Sequence, residues 1–417
     1  MKAFSSLIAS LIIFIACAPA QETPQPLKTG AEVMVESNFA ALSGKNVGLI
    51  TNHTATVGDR HIADLLHEHE DVNLIALYGP EHGIRGDAPA GDRIDSDVDS
   101  ATGVVVHSLY GSTYKPTPEM LEGLDVLIFD IQDIGPRFYT YISTMGYGME
   151  AAAENGISFM VLDRPNPLGG ELIEGPMLEE GFESFVGFYP IPITHGLTVG
   201  ELANMIKAEK WRPAVENLDL QVVEMENWDR SKLWDAYFGD SWNPPSPNIP
   251  DFETALVYPG TCLFEGLSAA EGRGTYEPFL MVGAPWADGE ALAEELNSRD
   301  LPGVRFEAVT FVPESIPGMA TRAKFMGENV NGVRHVVTDA EALRPVEVGI
   351  HVIDAFFRSA PEEEIEGFFS RARFGRLAGG HTLEDQFREG LSPEEIIRSW
   401  EAPLAAFNQL KVTYHLY

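Results

Sequence analysis

An acid, an imidazole and a guanidinium stand together in the stretch YGPEHGIRGDAPAG, residues 78 to 91. Glu81 and His82 can hold or move a proton, Arg85 can grip an anion, and Asp87 and Asp92 add carboxylates to the same loop. They come directly after an apolar run, Val72 to Leu77, in a segment punctuated by glycine and proline. That is the position of a loop at the end of a buried strand.

Three more apolar runs end in the same way. NVGLIT (46–51) leads into Asn52 and His53, and DVLIFDI (125–131) leads through Asp130 to Gln132, Asp133 and Arg137. SFMVLDR (158–164) delivers Asp163, Arg164 and, in LDRPNPLGG, Asn166. One such cluster is usually a turn or a cap. Four on one edge define a rim, and in an open parallel sheet ligands bind beyond the carboxyl ends of the strands. Two later loops carry comparable groups: His195-Gly196 before a helical pattern in IPITHGLTVGEL, and Glu271 and Arg273 between glycines in EGLSAAEGRGTYEPF.

The elements that must position these groups alternate from about 45 to 225. Apolar strands at 46–51, 72–78, 103–110, 125–131, 158–164 and 220–225 interleave with helical patterns at 61–69, 117–124, 140–156 and 198–210. Continuous apolar strands between helices predict a mostly parallel sheet covered on both faces, an α/β fold with a Rossmann-like domain. The glycines lack the GxGxxG spacing and no GxxxxGK[ST] occurs, so the fold does not by itself imply a nucleotide. SWNPPSPNIPD (241–251) holds four prolines in eleven residues and reads as a junction. Beyond it, strands are predicted in ETALVYPG, RFEAVTFVP and GVRHVVTD and helices at about 345–359 and 392–410, a second, smaller α+β domain. The expected organisation is a leader over 1–20, a tether over 21–40, a Rossmann-like catalytic domain over 41–240 and an auxiliary domain over 241–417 that closes the cleft.

The chain has 417 residues, 44% hydrophobic and 10% aromatic, enough for two packed units. A net charge of −35, spread along the chain, argues against nucleic acid as a partner. Lys2 precedes an apolar stretch, Leu7 to Ala16, too short to span a bilayer and read as a secretory signal. FIAC resembles a bacterial lipobox with Cys17 as the lipidated residue, and APA (18–20) offers an ordinary cleavage site. The lipobox is favoured because a cysteine there is otherwise unexplained. The expectation is an exported protein, periplasmic or anchored by lipid at the membrane. The other cysteine, Cys262, sits among apolar residues and reads as a small core filler; with Cys17 at the terminus no internal disulfide framework is possible, and no cysteine-based metal motif is present.

PEHGIRG, DIQDIGPRFYTYISTM, LDRPNPLGG, SFVG, PITHGLTVGELA, PPSPNIP, YPGTCLFEG, EGRGTYEPF and GAPW resemble, in order, the exo-β-N-acetylmuramidase family, the NamZ-type glycoside hydrolases. The match runs from about 45 to VTYHLY at the C-terminus. The resemblance implies an exo-acting hydrolase that removes N-acetylmuramic acid from the non-reducing end of peptidoglycan fragments. It implies a Rossmann-like domain with the active site, a smaller auxiliary domain, no cofactor, and Glu81 as the leading catalytic residue. Thr194 stands where family members often have Arg, and LSAAEGRGT where NLSEGRGT is usual; both differences bear on substrate contacts.

Glycoside cleavage needs an acid for the leaving oxygen and usually a second carboxylate. A carboxyl enclosed by apolar strands holds its proton more tightly, which suits the acid role at Glu81. His82 would orient Glu81 or contact the sugar. Asp133 is better placed as second carboxylate than Asp130, which lies within the strand, or Asp163, which with Arg164 reads as a structural ion pair. The lactyl carboxylate of muramic acid calls for a cation, and Arg85, Arg137, Arg164 and Arg273 are the choices. Asn52, Gln132, Asn166, Asn248, His195 and Glu271 are candidates for the remaining substrate contacts, with Tyr139 or Tyr141 to stack on sugar.

Two other readings compete. His53, Glu81, His82, Asp130 and His195 could form the metal site of a metal-dependent hydrolase, although no HExxH spacing is present. A lipoprotein that binds muropeptides without cleaving them would share the same motifs.

Overall fold

The computed structural model describes residues 25–86 and 97–417. The leader, Cys17 and the carboxylates Asp87 and Asp92 lie outside the described residues. The strands of the main sheet are β1 (Asn46–Thr51), β2 (Asn73–Gly79), β3 (Asp97–Val98), β4 (Val105–Ser108), β5 (Val126–Asp130), β6 (Ser158–Leu162) and β7 (Leu220–Val223). Their order across the sheet is β3-β4-β2-β1-β5-β6-β7, and every neighbouring pair is parallel except β3 with β4.

β1 pairs on one side with β2 (Ile50 opposite Tyr78) and on the other with β5 (Thr51 opposite Asp130). From β1 the chain moves outward through β2 and β4, then returns to start the other half at β5. The sheet therefore reverses its winding between β1 and β5, the place where doubly wound sheets open a crevice.

Side-chain alternation explains why both faces are covered. Val47, Leu49, Val126 and Ile128 point into one apolar layer with Ala31 and Met34 of α1 (Gly30–Glu36) and Ile62 and Leu66 of α2 (Ile62–Glu68). Ile50, Leu127 and Phe129 point into the other, against α3 (Tyr141–Asn155) and α4 (Val199–Ala208). α3 ends at Gly156 in the left-handed conformation, φ 67°, and α4 begins with the reciprocal Thr198–Glu201 capping box.

The second unit carries a three-stranded antiparallel sheet, β8 (Met281–Ala284), β9 (Val304–Phe311) and β10 (Val330–Val337), with β10 in the middle. Beside it pack α5 (Phe252–Thr261) and α6 (Pro345–Ser359), followed by α7 (Arg371–Ala378). The apolar layer over α3 continues without a break into Val282, Phe306 and Ile350, so the two units share one core.

Four local expectations change. ETALVYPG is helix, not strand: Asp251 caps it by accepting from Thr254 N, and its apolar run is buried by helix packing. Gly260 of α5 lies against Gly349 of α6, where an added Cβ would stand 2.0 Å from Pro345 O. The pattern at 117–124 yields only a 3₁₀ turn, Pro118–Leu121, because Gly123 takes φ 82° and ends it. The pattern at 392–410 is two helices, Pro393–Arg398 and Glu401–Lys411. The expected tether is in part folded: Thr29 caps α1, and Ala31, Met34 and Phe39 are buried.

Candidate active site

The turn after β2 is tightly specified. His82 and Gly83 take φ 71° and 73° in succession, and Gly83 N bonds Pro80 O at 3.0 Å. A non-glycine residue in that region costs about 1–2 kcal/mol, so the turn is held by its surroundings. It sets Glu81 half-buried at the sheet edge, where Thr140 Oγ1 donates to Glu81 Oε2 at 3.4 Å and the Tyr110 hydroxyl forms a further hydrogen bond.

Glu81 and His82 line a cleft over the point where the sheet reverses. Phe138, Tyr139, Thr140 and Tyr141 after β5 form one wall, and Ser246, Asn248 and Ile249 of the proline-rich stretch form another. The second unit closes it with Tyr258 of α5, Arg273 and Phe279. The rings interlock edge to face: Tyr139 with Tyr141 at 5.0 Å between centroids, and Tyr258 with Phe279 at 4.7 Å. The proline-rich stretch is pinned by His53 Nε2 to Pro244 O at 2.7 Å and Tyr141 Oη to Pro245 O at 2.6 Å.

The four candidate arginines part company here. Arg85 forms ion pairs with Asp64 and Asp99, at 2.8 and 2.7 Å. Arg137 is fully buried and donates to the carbonyls of Pro176, Ile191, Leu377 and Ala378. Arg164 forks onto Asp130 at 2.5 and 3.0 Å. Arg273 alone of the four lines the cleft. Its Nη2 donates to Glu265 at 2.7 Å, its guanidinium lies 5.2 Å from the Phe279 ring, and its Nε has no protein partner. Enclosure opposes its charge, but Glu265 and Glu271 outweigh that and hold it protonated.

Several other expected site residues turn out to brace the rim. Asn52 Oδ1 accepts from Thr54 N and Oγ1, and Thr54 Oγ1 accepts from Gln132 N at 3.0 Å, which ties the ends of β1 and β5 together. Gln132 Nε2 donates to Asp133 O and Pro165 O, and Asn166 Nδ2 to Leu197 O. Asp163 does not pair with the Arg164 guanidinium; it accepts from Thr198 Oγ1, Gly200 N and Tyr417 Oη, because Arg164 is drawn to Asp130. Glu271 pairs with Lys324, whose ammonium also holds three carbonyls of the same loop. His195 is enclosed beside Lys411 and Arg137, and burial first, then those charges, lower its pKa to about 3. Asn248 does reach the cleft, with Nδ2 on Met319 O and Oδ1 lacking a protein partner.

Asp133 is buried and is not among the residues that line the cleft. Burial pushes its pKa up to about 7, against the pull of the Gly135 and Ile134 amides, and its Oδ1 has no partner. Among the described residues that line the cleft, Glu81 is the only carboxylate. The residues of the metal reading are not gathered: His53 is on the Pro244 carbonyl, Asp130 on Arg164 and His195 in the interior. Sequence reasoning missed Tyr110, Thr140, Tyr258, Phe279 and Glu265. Tyr110 was within reach, since it follows β4 as Glu81 follows β2.

A larger groove, about 570 Å³ against about 70 Å³, runs past Leu172, Ile173, Leu256 and Arg344. Its arginines are engaged, Arg230 with Glu201 and Gly170 O, and Arg344 with Glu341 O and Leu343 O. The convergence of a carboxylate, hydroxyls, a guanidinium and aromatic faces favours the smaller cleft.

The fold and site define a doubly wound α/β protein whose cleft, walled by rings and closed by a second α+β unit, opens where the sheet reverses. Two family models cover nearly all of the described chain: exo-β-N-acetylmuramidase NamZ, N-terminal, over residues 47–253, and the C-terminal model of the same family over residues 256–417. The chain belongs to that family. It is 46% identical over 395 residues to the peptidoglycan β-N-acetylmuramidase NamZ of Bacillus subtilis, covering 94% of this chain and 91% of that one. Two crystal structures of DUF1343 family proteins from Bacteroides fragilis are similar throughout. One has 40% identity and a TM-score of 0.86, the other 34% and 0.77, each covering 94% of this chain and 99% of the other.

Proposed function

We propose that the protein is an exo-acting glycoside hydrolase that releases N-acetylmuramic acid from the non-reducing end of peptidoglycan fragments. Family membership supports the reaction class. The observation that carries the reading to residues is that Glu81 and Arg273 line one cleft, while the three competing arginines are tied into the fold.

In this reading the lactyl carboxylate sits on Arg273, which turns the sugar so that its glycosidic oxygen meets Glu81. The bond from the anomeric carbon to that oxygen breaks as Glu81 gives the oxygen its proton. A water oxygen bonds to the anomeric carbon, and a proton from that water restores Glu81. The products are N-acetylmuramic acid and a fragment one sugar shorter. In the same reading His82, buried at the base of the turn, orients Glu81 or contacts the sugar. The export signal and a lipid at Cys17 would place this activity at the cell wall; loss of lipid labelling in Cys17→Ala tests that part.

The test is incubation with a chromogenic N-acetylmuramide and the matching N-acetylglucosaminide. Release from the first alone is expected. Glu81→Gln is expected to lower turnover about 10²–10⁴-fold while binding persists. Turnover left intact in that variant would refute Glu81 as the acid, and binding without release by the native chain would mark a binder.

A further inference from the structure

Among the described residues, two aromatic side chains are classed as exposed, Tyr114 at 42% and Tyr276 at 82%. Both lie on segments that adjoin the cleft. Tyr276 is on the loop that supplies Arg273 and Phe279, and Tyr114 is on the segment after β4 that supplies Tyr110. A single exposed ring needs no explanation, but a contiguous exposed cluster of rings beside a cleft marks an interaction surface.

On the Tyr114 side the rings form one contiguous cluster, in which Phe185 also lies against Tyr147 at 6.3 Å. The Tyr110 hydroxyl bonds Glu81, and the Tyr110 ring lies 5.8 Å from Tyr114 and 6.1 Å from Phe185. Tyr114 and Phe185 are 4.4 Å apart, inclined by 32°, and Tyr110 and Phe185 are both half-exposed. The shelf thus begins at the carboxyl group and runs outward from it. Packing alone does not account for it, because a ring placed only to fill a core would be covered.

A general acid must touch the leaving oxygen, so the sugar that departs on that oxygen lies within one ring's length of the acid. We infer that Tyr110, Tyr114 and Phe185 form the leaving-side subsite, which takes the pyranose ring of the sugar on the reducing-end side of the cleaved bond. The C–H face of a pyranose carries partial positive charge and the face of an aromatic ring partial negative charge, so the two stack. Neutral N-acetylglucosamine suits the shelf, since it brings no carboxylate into a region where Glu81 already stands. This assignment rests on the muramidase reading and adds the site that holds the second sugar.

The experiment compares two substrates in the full chain: the disaccharide of N-acetylmuramic acid on N-acetylglucosamine, and N-acetylmuramyl fluoride, which has no leaving sugar. For Tyr114→Ala and Phe185→Ala, the ratio of kcat/KM for the disaccharide to that for the fluoride is expected to fall about two- to tenfold per ring. The fall should appear mainly in KM, and Tyr114→Phe should restore the native ratio. An unchanged ratio, whether both rates fall together or neither does, overturns the subsite. If the native chain turns over neither substrate, the muramidase reading itself fails. A reduced ratio only for peptide-bearing substrates would assign the shelf to peptide and overturn the sugar assignment.

Discussion

Arg273→Lys isolates the recognition of the lactyl group. Arginine presents a planar fork of five N–H donors, so Nη2 can hold Glu265 at 2.7 Å while the exposed part of the guanidinium serves a ligand. Lysine keeps the positive charge, so Glu265 is not left uncompensated, but a single ammonium cannot hold Glu265 and grip a carboxylate in the same fork. The loss is one charge-assisted hydrogen bond, about 1.5–3 kcal/mol, or about 10- to 150-fold in affinity. The assay measures inhibition of the chromogenic reaction by free N-acetylmuramic acid and by its lactyl methyl ester, which has the same shape without the charge. The native protein should prefer the acid. In Arg273→Lys the preference should shrink by that factor while affinity for the ester changes little, and a thermal melt should confirm an intact fold. An acid-to-ester ratio identical in the two proteins would refute the assignment of the lactyl group to Arg273.

Asp133 gives the fold a pH dependence of defined sign. Its carboxyl titrates at about 7 in the folded chain against a reference of 3.8, so the folded state binds the extra proton between those values. Stability therefore falls as pH rises from about 4 to about 7, by a few kcal/mol at most. Asp133→Asn should raise the melting temperature at pH 8 and leave it nearly unchanged at pH 4; an equal effect at both would sink the argument. Gly260→Ala places a Cβ 2.0 Å from Pro345 O and 3.0 Å from Gly349 Cα, driving α5 and α6 apart. A loss of about 1–3 kcal/mol is expected, read as a lower melting temperature, with reduced turnover because α5 carries Tyr258 into the cleft. Native-like stability in that variant would mean that the helices separate at little cost.

The rim of the sheet was legible because strand periodicity is local. Apolar runs such as NVGLIT and DVLIFDI have one buried solution, and the residues after them must fall at the carboxyl edge. Which of those residues face a ligand was not legible. Arg85 and Arg273 look alike in sequence, each among glycines, yet Arg85 is paired with Asp64 and Asp99, and only tertiary geometry brings those three together. Arg164 likewise passes over its neighbour Asp163 for Asp130, 34 positions away. Tyr258 was hidden by the strand reading of ETALVYPG, where an apolar run of that length fits either element and the cap at Asp251 was the deciding sign. The resemblance of the motifs to the muramidase family held over the whole of 47–417, because long ordered motifs do not depend on knowing which face each residue takes.

Arg137 sets a limit on how this molecule can be divided. It stands just after β5, in the first unit, yet two of its four acceptors are the carbonyls of Leu377 and Ala378, at the end of α7 in the second. Cutting the chain near residue 254 would strand a guanidinium in an apolar interior and expose the layer that runs from Phe129 to Ile350. The halves are thus mutually dependent for solubility as well as for shape. Attempts to prepare a minimal catalytic fragment should yield aggregate, whereas co-production of the two pieces offers a route to an assembled, active pair.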